Sequence, residues 1–181
     1  MTRPTNGFAL QAYLALARTV PLFAQPLLRR RLRAGKEHPT RWREKCGAAT
    51  AARPVGPLIW LHGVGLGEVL ALRGLIAALH RADPGLSFLV TSSTAKSAEA
   101  FADQLPSRTI HQFLPLDAPR YARRFLDHWR PDLAIWTEQD LWPTLSAACS
   151  NRDIPQAIIA ARISAKSFDR RQKAISLYPG L

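Results

Sequence analysis

A chain of 181 residues, 47% apolar and with scattered rather than clustered Gly (10) and Pro (14), is large enough for one folded domain with its own core and is neither low-complexity nor collagen-like. Its 25 Lys/Arg against 13 Asp/Glu give a formal charge of +12, which points to an anionic partner such as nucleic acid, lipid head groups or a phosphorylated substrate. Residues 1–53 carry eleven of those basic residues and only Glu37 and Glu44, yet their neighbours are aliphatic rather than the aromatic platforms on which bases stack, so no nucleic-acid partner is expected.

The stretch Phe8–Leu28 is mostly apolar but holds Gln11, Arg18, Thr19 and Gln25 and is interrupted by Pro21 and Pro26, so it is a poor spanning helix. The cluster Arg29-Arg30-Arg31-Leu32-Arg33 follows at once. An apolar segment with a basic end suits a helix lying in a membrane interface against anionic head groups, and residues 1–53 are read as a membrane-associating helical segment. A secretory signal with Ala15-Leu16-Ala17 as cleavage site is the rival, but the basic cluster would resist export. A helix packed on the chain's own domain is the other alternative.

From residue 54 onward, short β-rich runs alternate with helical ones. Leu58–Leu61, Leu86–Thr91, Thr109–Phe113, Leu133–Trp136 and Gln156–Ile159 read as strands. Glu68–His80, Lys96–Gln104, Arg120–Trp129 and Thr144–Asn151 read as helices. This alternation predicts an α/β domain over 54–181, a doubly wound parallel sheet with right-handed crossovers whose ligands sit beyond the carboxyl ends of the strands. Cys46 and Cys149 form no disulfide framework or CxxC pair and suit a reducing compartment. The five histidines are dispersed without HExxH, so neither a metal nor another cofactor is expected.

The first strand runs into His62-Gly63-Val64-Gly65-Leu66-Gly67-Glu68, a glycine turn opening a helix, where close backbone approach and free amides favour an anion. The spacing is GxGxG rather than GxGxxG, no acidic residue ends the second strand, and there is no P-loop lysine, which leaves little for a nucleotide-dependent oxidoreductase or kinase. Glu68 either serves the helix dipole or acts as a general base. Thr91, Ser92 and Ser93 end the second strand. After the fourth come Glu138 and Asp140, able to bind a metal or hold sugar hydroxyls, or with Asp140 as a cap and Pro143 in a first helical turn. Arg162, Ser164 and Lys166 after the fifth suit a phosphate or carboxylate, or are simply solvated.

In order, the turn His62 to Glu68, the run Thr91–Thr94, Leu114-Pro115-Leu116-Asp117, Arg130-Pro131-Asp132, Glu138-x-Asp140-Leu141-Trp142-Pro143 and Ala161-Arg162-Ile163-Ser164-x-Lys166-Ser167 resemble the N-terminal domain of the 3-deoxy-D-manno-octulosonic acid (Kdo) transferases. Two positions depart from the family's usual residues: Gly65 stands for Ser and Asp140 for Glu. The resemblance implies a Rossmann-like half of a B-type, inverting, metal-independent glycosyltransferase that moves Kdo from CMP-Kdo to the lipid A precursor of lipopolysaccharide at the cytoplasmic face of the inner membrane. It implies Glu68 as catalytic base. It also implies acceptor contacts from His62, Gly65, Gly67, Thr91, Ser92, Ser93, Glu138, Asp140, Arg162, Ser164 and Lys166. The family's second domain, which binds CMP-Kdo, is expected to be absent from these residues, so that the chain alone holds the acceptor and transfers little sugar. The alternative is a non-catalytic, membrane-associated glycolipid-binding module.

Overall fold

Apolar text without alternation folds as strands covered on both faces. In the computed structural model, which describes residues 7–137 and 142–160, β1 (Leu58–His62) and β2 (Ser87–Ser92) are buried at every position. With β3 (Thr109–Phe113), β4 (Leu133–Thr137) and β5 (Gln156–Ile159) they make a parallel sheet in the order β3-β2-β1-β4-β5. The crossovers contain α3 (Leu66–Ala82), α4 (Ala95–Ala102), α5 (Pro119–Trp129) and α6 (Pro143–Ser150). This is the doubly wound, Rossmann-like α/β arrangement expected, and β1, β2 and β4 each run one residue further than the apolar text because His62, Ser92 and Thr137 find buried hydrogen bonds.

Successive strand residues face opposite layers. Leu58, Trp60, Ala134 and Trp136 pack with Phe125, Leu126 and Trp129 of α5 and Leu145 and Cys149 of α6. Ile59, Leu61, Phe88, Val90 and Ile135 pack with Val69, Leu72 and Ile76 of α3 and Phe101 of α4. Asp132 closes the entrance to β1, its Oδ2 accepting from the Leu58 amide at 2.8 Å. Both cysteines are free and buried.

The N-terminal apolar stretch is two helices, α1 (Phe8–Ala17) and α2 (Val20–Arg33), separated at Arg18 and Thr19. Pro21 sits in the first turn of α2, where its missing N–H has no helical partner to lose, and Pro26 lies inside. Among the described residues no helix is long and apolar enough to cross a membrane. Ala24 and Leu28 bury against Cys46, Ala118 and Tyr121, and the Tyr13 hydroxyl donates to Asp117 Oδ2 at 2.7 Å. Asp117 also accepts from the Thr144 and Leu145 amides, at 3.1 and 3.2 Å, and so caps α6 across space.

A short 3-10 turn, Trp42–Cys46, lays a buried carboxylate on the outer end of β3. Glu44, fully buried, accepts from Arg41 Nε and Nη2 at 2.8 and 3.0 Å, from the Thr50 hydroxyl, and from the Phe113 amide at 2.7 Å. Gly47 ends the turn at φ 75°, and a Cβ there would collide with the Tyr121 carbonyl. Glu37 is likewise paired, with Arg31 Nε at 2.5 Å and Lys45 Nζ at 2.6 Å. Burial would push its carboxyl up, but Lys45 and Arg31 outweigh that and hold it below the usual range.

Candidate active site

In a sheet of this order the crevice opens where the strand order reverses, between β1 and β4. The glycine turn after β1 and the end of β4 meet there. Gly63 and Gly65 bring the backbone back toward the start of α3, and Glu68, half-buried in the first turn, folds its carboxylate over the turn. Its Oε2 accepts from the Val64 amide at 2.9 Å, and the Thr137 hydroxyl lies 3.0 Å away. Among the described residues no cation pairs with Glu68. The N-cap, Gly65, makes no side-chain hydrogen bond, and Gly67 is exposed, so the amide end of α3 is open beside the carboxylate.

His62 is held from both sides. The Trp142 indole N–H donates to Nε2 at 3.1 Å, and since an indole nitrogen can only donate, the ring proton resides on Nδ1. Nδ1 is 3.1 Å from the Thr91 carbonyl and 3.0 Å from Thr91 Oγ1. Burial drives this imidazole down to about 4, although the Thr91 carbonyl and the Glu68 charge favour the cation. Thr91 Oγ1 in turn accepts from the Trp60 indole at 2.9 Å.

A second neutral histidine supports the end of β2. Arg41 Nη2 donates to the His111 carbonyl at 2.7 Å and lies 3.0 Å from His111 Nδ1. A guanidinium cannot accept, so Nδ1 is the bare nitrogen and Nε2–H donates to Ser92 Oγ at 2.9 Å. Burial, then the Arg41 charge, push His111 down to about 3.

These two rings set a pH dependence with a definite sign. An unfolded histidine protonates near pH ~6.5. Folded His62 waits until about 4 and His111 until about 3, so between these values the unfolded chain binds more protons. Stability is therefore present in full above that unfolded value and falls by several kcal/mol on acidification to pH ~4. Urea midpoints measured at neutral pH and at steps downward should decrease; a flat profile would show that the rings ionise within the fold.

The structure thus gathers His62, Gly65, Gly67, Glu68 and Thr91 around one turn, with Ser92 and Ser93 on the neighbouring strand end. His62, Thr91 and Ser92 spend polar atoms within the protein, whereas Ser93 Oγ has no hydrogen-bond partner among the described residues and Thr94 caps α4 through the Ser97 amide. Glu138, Asp140, Arg162, Ser164 and Lys166 lie outside the described residues. Pro143 occupies the first turn of α6, but the N-cap is Trp142 rather than Asp140, and the carboxylate that accepts from the first amides is that of Asp117. Among the described residues, no three His, Cys, Asp or Glu side chains gather as a metal site requires. Trp142, expected only as part of the motif that follows the fourth strand, and Thr137, which no motif singles out, both enter the site; for Thr137 a hydroxyl at the carboxyl end of a strand is the available signal.

Comparison with known proteins gives the family. The family model described as 3-deoxy-D-manno-octulosonic-acid transferase (kdotransferase) matches residues 40–181. The chain belongs to the Kdo transferase family. It is 43% identical over 164 residues to a probable mitochondrial 3-deoxy-D-manno-octulosonic acid transferase of Arabidopsis thaliana, covering 90% of this chain and 36% of the relative. The 3-deoxy-D-manno-octulosonic acid transferase of Rickettsia felis is 39% identical over 122 residues, 67% of this chain and 26% of that protein. That of Haemophilus influenzae is 35% identical over 127 residues, 70% of this chain and 29% of that protein. The chain therefore spans about a third or less of the length of these relatives.

Proposed function

We propose that these residues form the acceptor-binding half of an inverting glycosyltransferase that moves Kdo from CMP-Kdo to a lipid A precursor at the cytoplasmic face of the inner membrane. The observation that carries this reading is the Glu68 carboxylate, anchored at the switch point between β1 and β4 with no cation beside it among the described residues. A carboxylate placed this way can take the proton of an acceptor hydroxyl as its oxygen attacks the anomeric carbon. Gly65, Gly67 and Ser93 shape the acceptor side together with Glu138, Asp140, Arg162, Ser164 and Lys166 as acceptor contacts, while His62, Thr91 and Ser92 hold that wall in place. CMP-Kdo is bound by the family's second domain.

The N-terminal helices supply the membrane side of the reading. Leu16, Leu22 and Phe23 are 70% exposed and Leu27 is 55% exposed. On α2, Leu22, Phe23, Pro26, Leu27 and Arg30 share the face opposite Ala24 and Leu28. Glu37 and Glu44 pair with Arg31, Lys45 and Arg41, whereas Arg29, Arg30 and Arg33, exposed at the end of the apolar stripe, have no ion pair among the described residues and can face an anionic surface.

Flotation with phosphatidylethanolamine–phosphatidylglycerol vesicles, with and without lipid A precursor, tests both parts. The chain should bind both vesicles and prefer those with precursor, and CMP-Kdo should not change the binding. Replacing Phe23 and Leu27 by Ser should weaken binding at least about tenfold, since each apolar side chain returned to water costs about 1.5–3 kcal/mol. Equal flotation of that variant would remove the membrane face, and indifference to the precursor would remove the acceptor reading.

A further inference from the structure

The geometry points to Thr137 as the positioning residue for Glu68, the group that assigns anchor and base roles to its two carboxylate oxygens. This rests on the reading of Glu68 as base. Oε2 faces two protein donors, the Val64 amide at 2.9 Å and the Thr137 hydroxyl at 3.0 Å. Oε1 makes no hydrogen bond among the described residues, and a Cβ on residue 65 would stand 3.1 Å from it, so glycine there leaves that oxygen uncovered. Oε2 is the anchor and Oε1 the base.

The Thr137 hydroxyl has one proton and two acceptors, since it also lies 2.9 Å from the His62 carbonyl. With Glu68 ionised, the carboxylate is the stronger acceptor and takes that proton. During transfer the acceptor O–H gives its proton to Oε1, its oxygen electron pair forms the bond to the anomeric carbon, and the bond from that carbon to the CMP phosphate oxygen breaks, CMP leaving with the pair. Glu68 is then neutral, and the Thr137 hydroxyl can turn to the His62 carbonyl without leaving a buried donor unpaired. Thr137 so locks the carboxylate before the step and has a second acceptor after it. Thr137 sits at the end of β4, paired through Ile159 to β5, so its backbone position is fixed by the sheet rather than by a loop.

The test compares Thr137→Val, Thr137→Ser and Glu68→Gln in the transferase with both halves present. Valine keeps the shape and removes the hydroxyl, and circular dichroism of each variant reports folding. Thr137→Val should lower kcat about 10- to 100-fold, the worth of one hydrogen bond to a charged group, with the KM for precursor unchanged. Thr137→Ser should restore most of the rate. If Thr137→Val turns over like the unsubstituted enzyme, raises only KM, or loses a rate that serine does not recover, the positioning role is overturned while an inactive Glu68→Gln leaves the base intact. If Glu68→Gln turns over normally, the base reading falls and this inference with it.

Discussion

Replacing Glu44 by alanine should cost the chain about 3–5 kcal/mol, the usual penalty for breaking a buried ion pair from one side. The carboxylate is fully buried and meets Arg41 through both oxygens, as well as the Thr50 hydroxyl and the Phe113 amide. Its removal strands the buried Phe113 amide and deprives the Arg41 guanidinium, whose side chain is 26% exposed, of its carboxylate. Since domains are commonly stable by only about 5–15 kcal/mol, the loss should move the urea midpoint far below that of the unsubstituted chain. Glu99→Gln on the exposed side of α4 should stay within about 0.5 kcal/mol and serves as control. The effect reaches the candidate site, because Arg41 also fixes the His111 ring that donates to Ser92. An unchanged midpoint for Glu44→Ala would mean that the 3-10 turn does not hold the edge of β3.

That carboxylate shows where sequence and structure part. In the sequence, Glu37 and Glu44 are two minor counter-charges within a basic segment; in the fold they pair with Arg31, Lys45 and Arg41, while Arg29, Arg30 and Arg33 have no ion pair among the described residues. Pairing of that kind needs the chain to turn back on itself, which no local pattern reports. The sheet itself was legible because LIWL and FLV are short apolar runs bounded by Pro and Gly that alternate with helical stretches, and because parallel strands oblige crossover helices. The N-terminal stretch was legible as apolar and basic, but not as two helices, because its interruption falls at Arg18 and Thr19 rather than at the prolines.

In the site, Glu68 was legible from the glycines that precede it, which mark a strand-to-helix turn. His62 was legible as a polar residue at a strand end, yet its saturation was not, since its partners Thr91 and Trp142 are 29 and 80 residues away. Thr137 was hidden for a different reason: a threonine ending a β-run reads as an ordinary strand former, and only the switch between β1 and β4 brings its hydroxyl to the carboxylate. Asp117 was visible as part of a motif, but its work as a remote cap of α6 and anchor for Tyr13 belongs to tertiary structure.

The largest kinetic effect should come from Glu68→Gln. The amide keeps the shape and the acceptor for the Val64 N–H, so folding and precursor binding should persist, but it has little basicity and cannot take the acceptor proton. A general base contributes about 10²- to 10⁴-fold. The decisive measurement is therefore the single-turnover rate of Kdo transfer from CMP-Kdo to lipid A precursor by the two-half enzyme, with Glu68 and with Gln at that position, both saturated with precursor. A rate at least about a hundredfold lower for the glutamine variant, at equal precursor affinity, is expected; equal rates would contradict a carboxylate base at the head of α3.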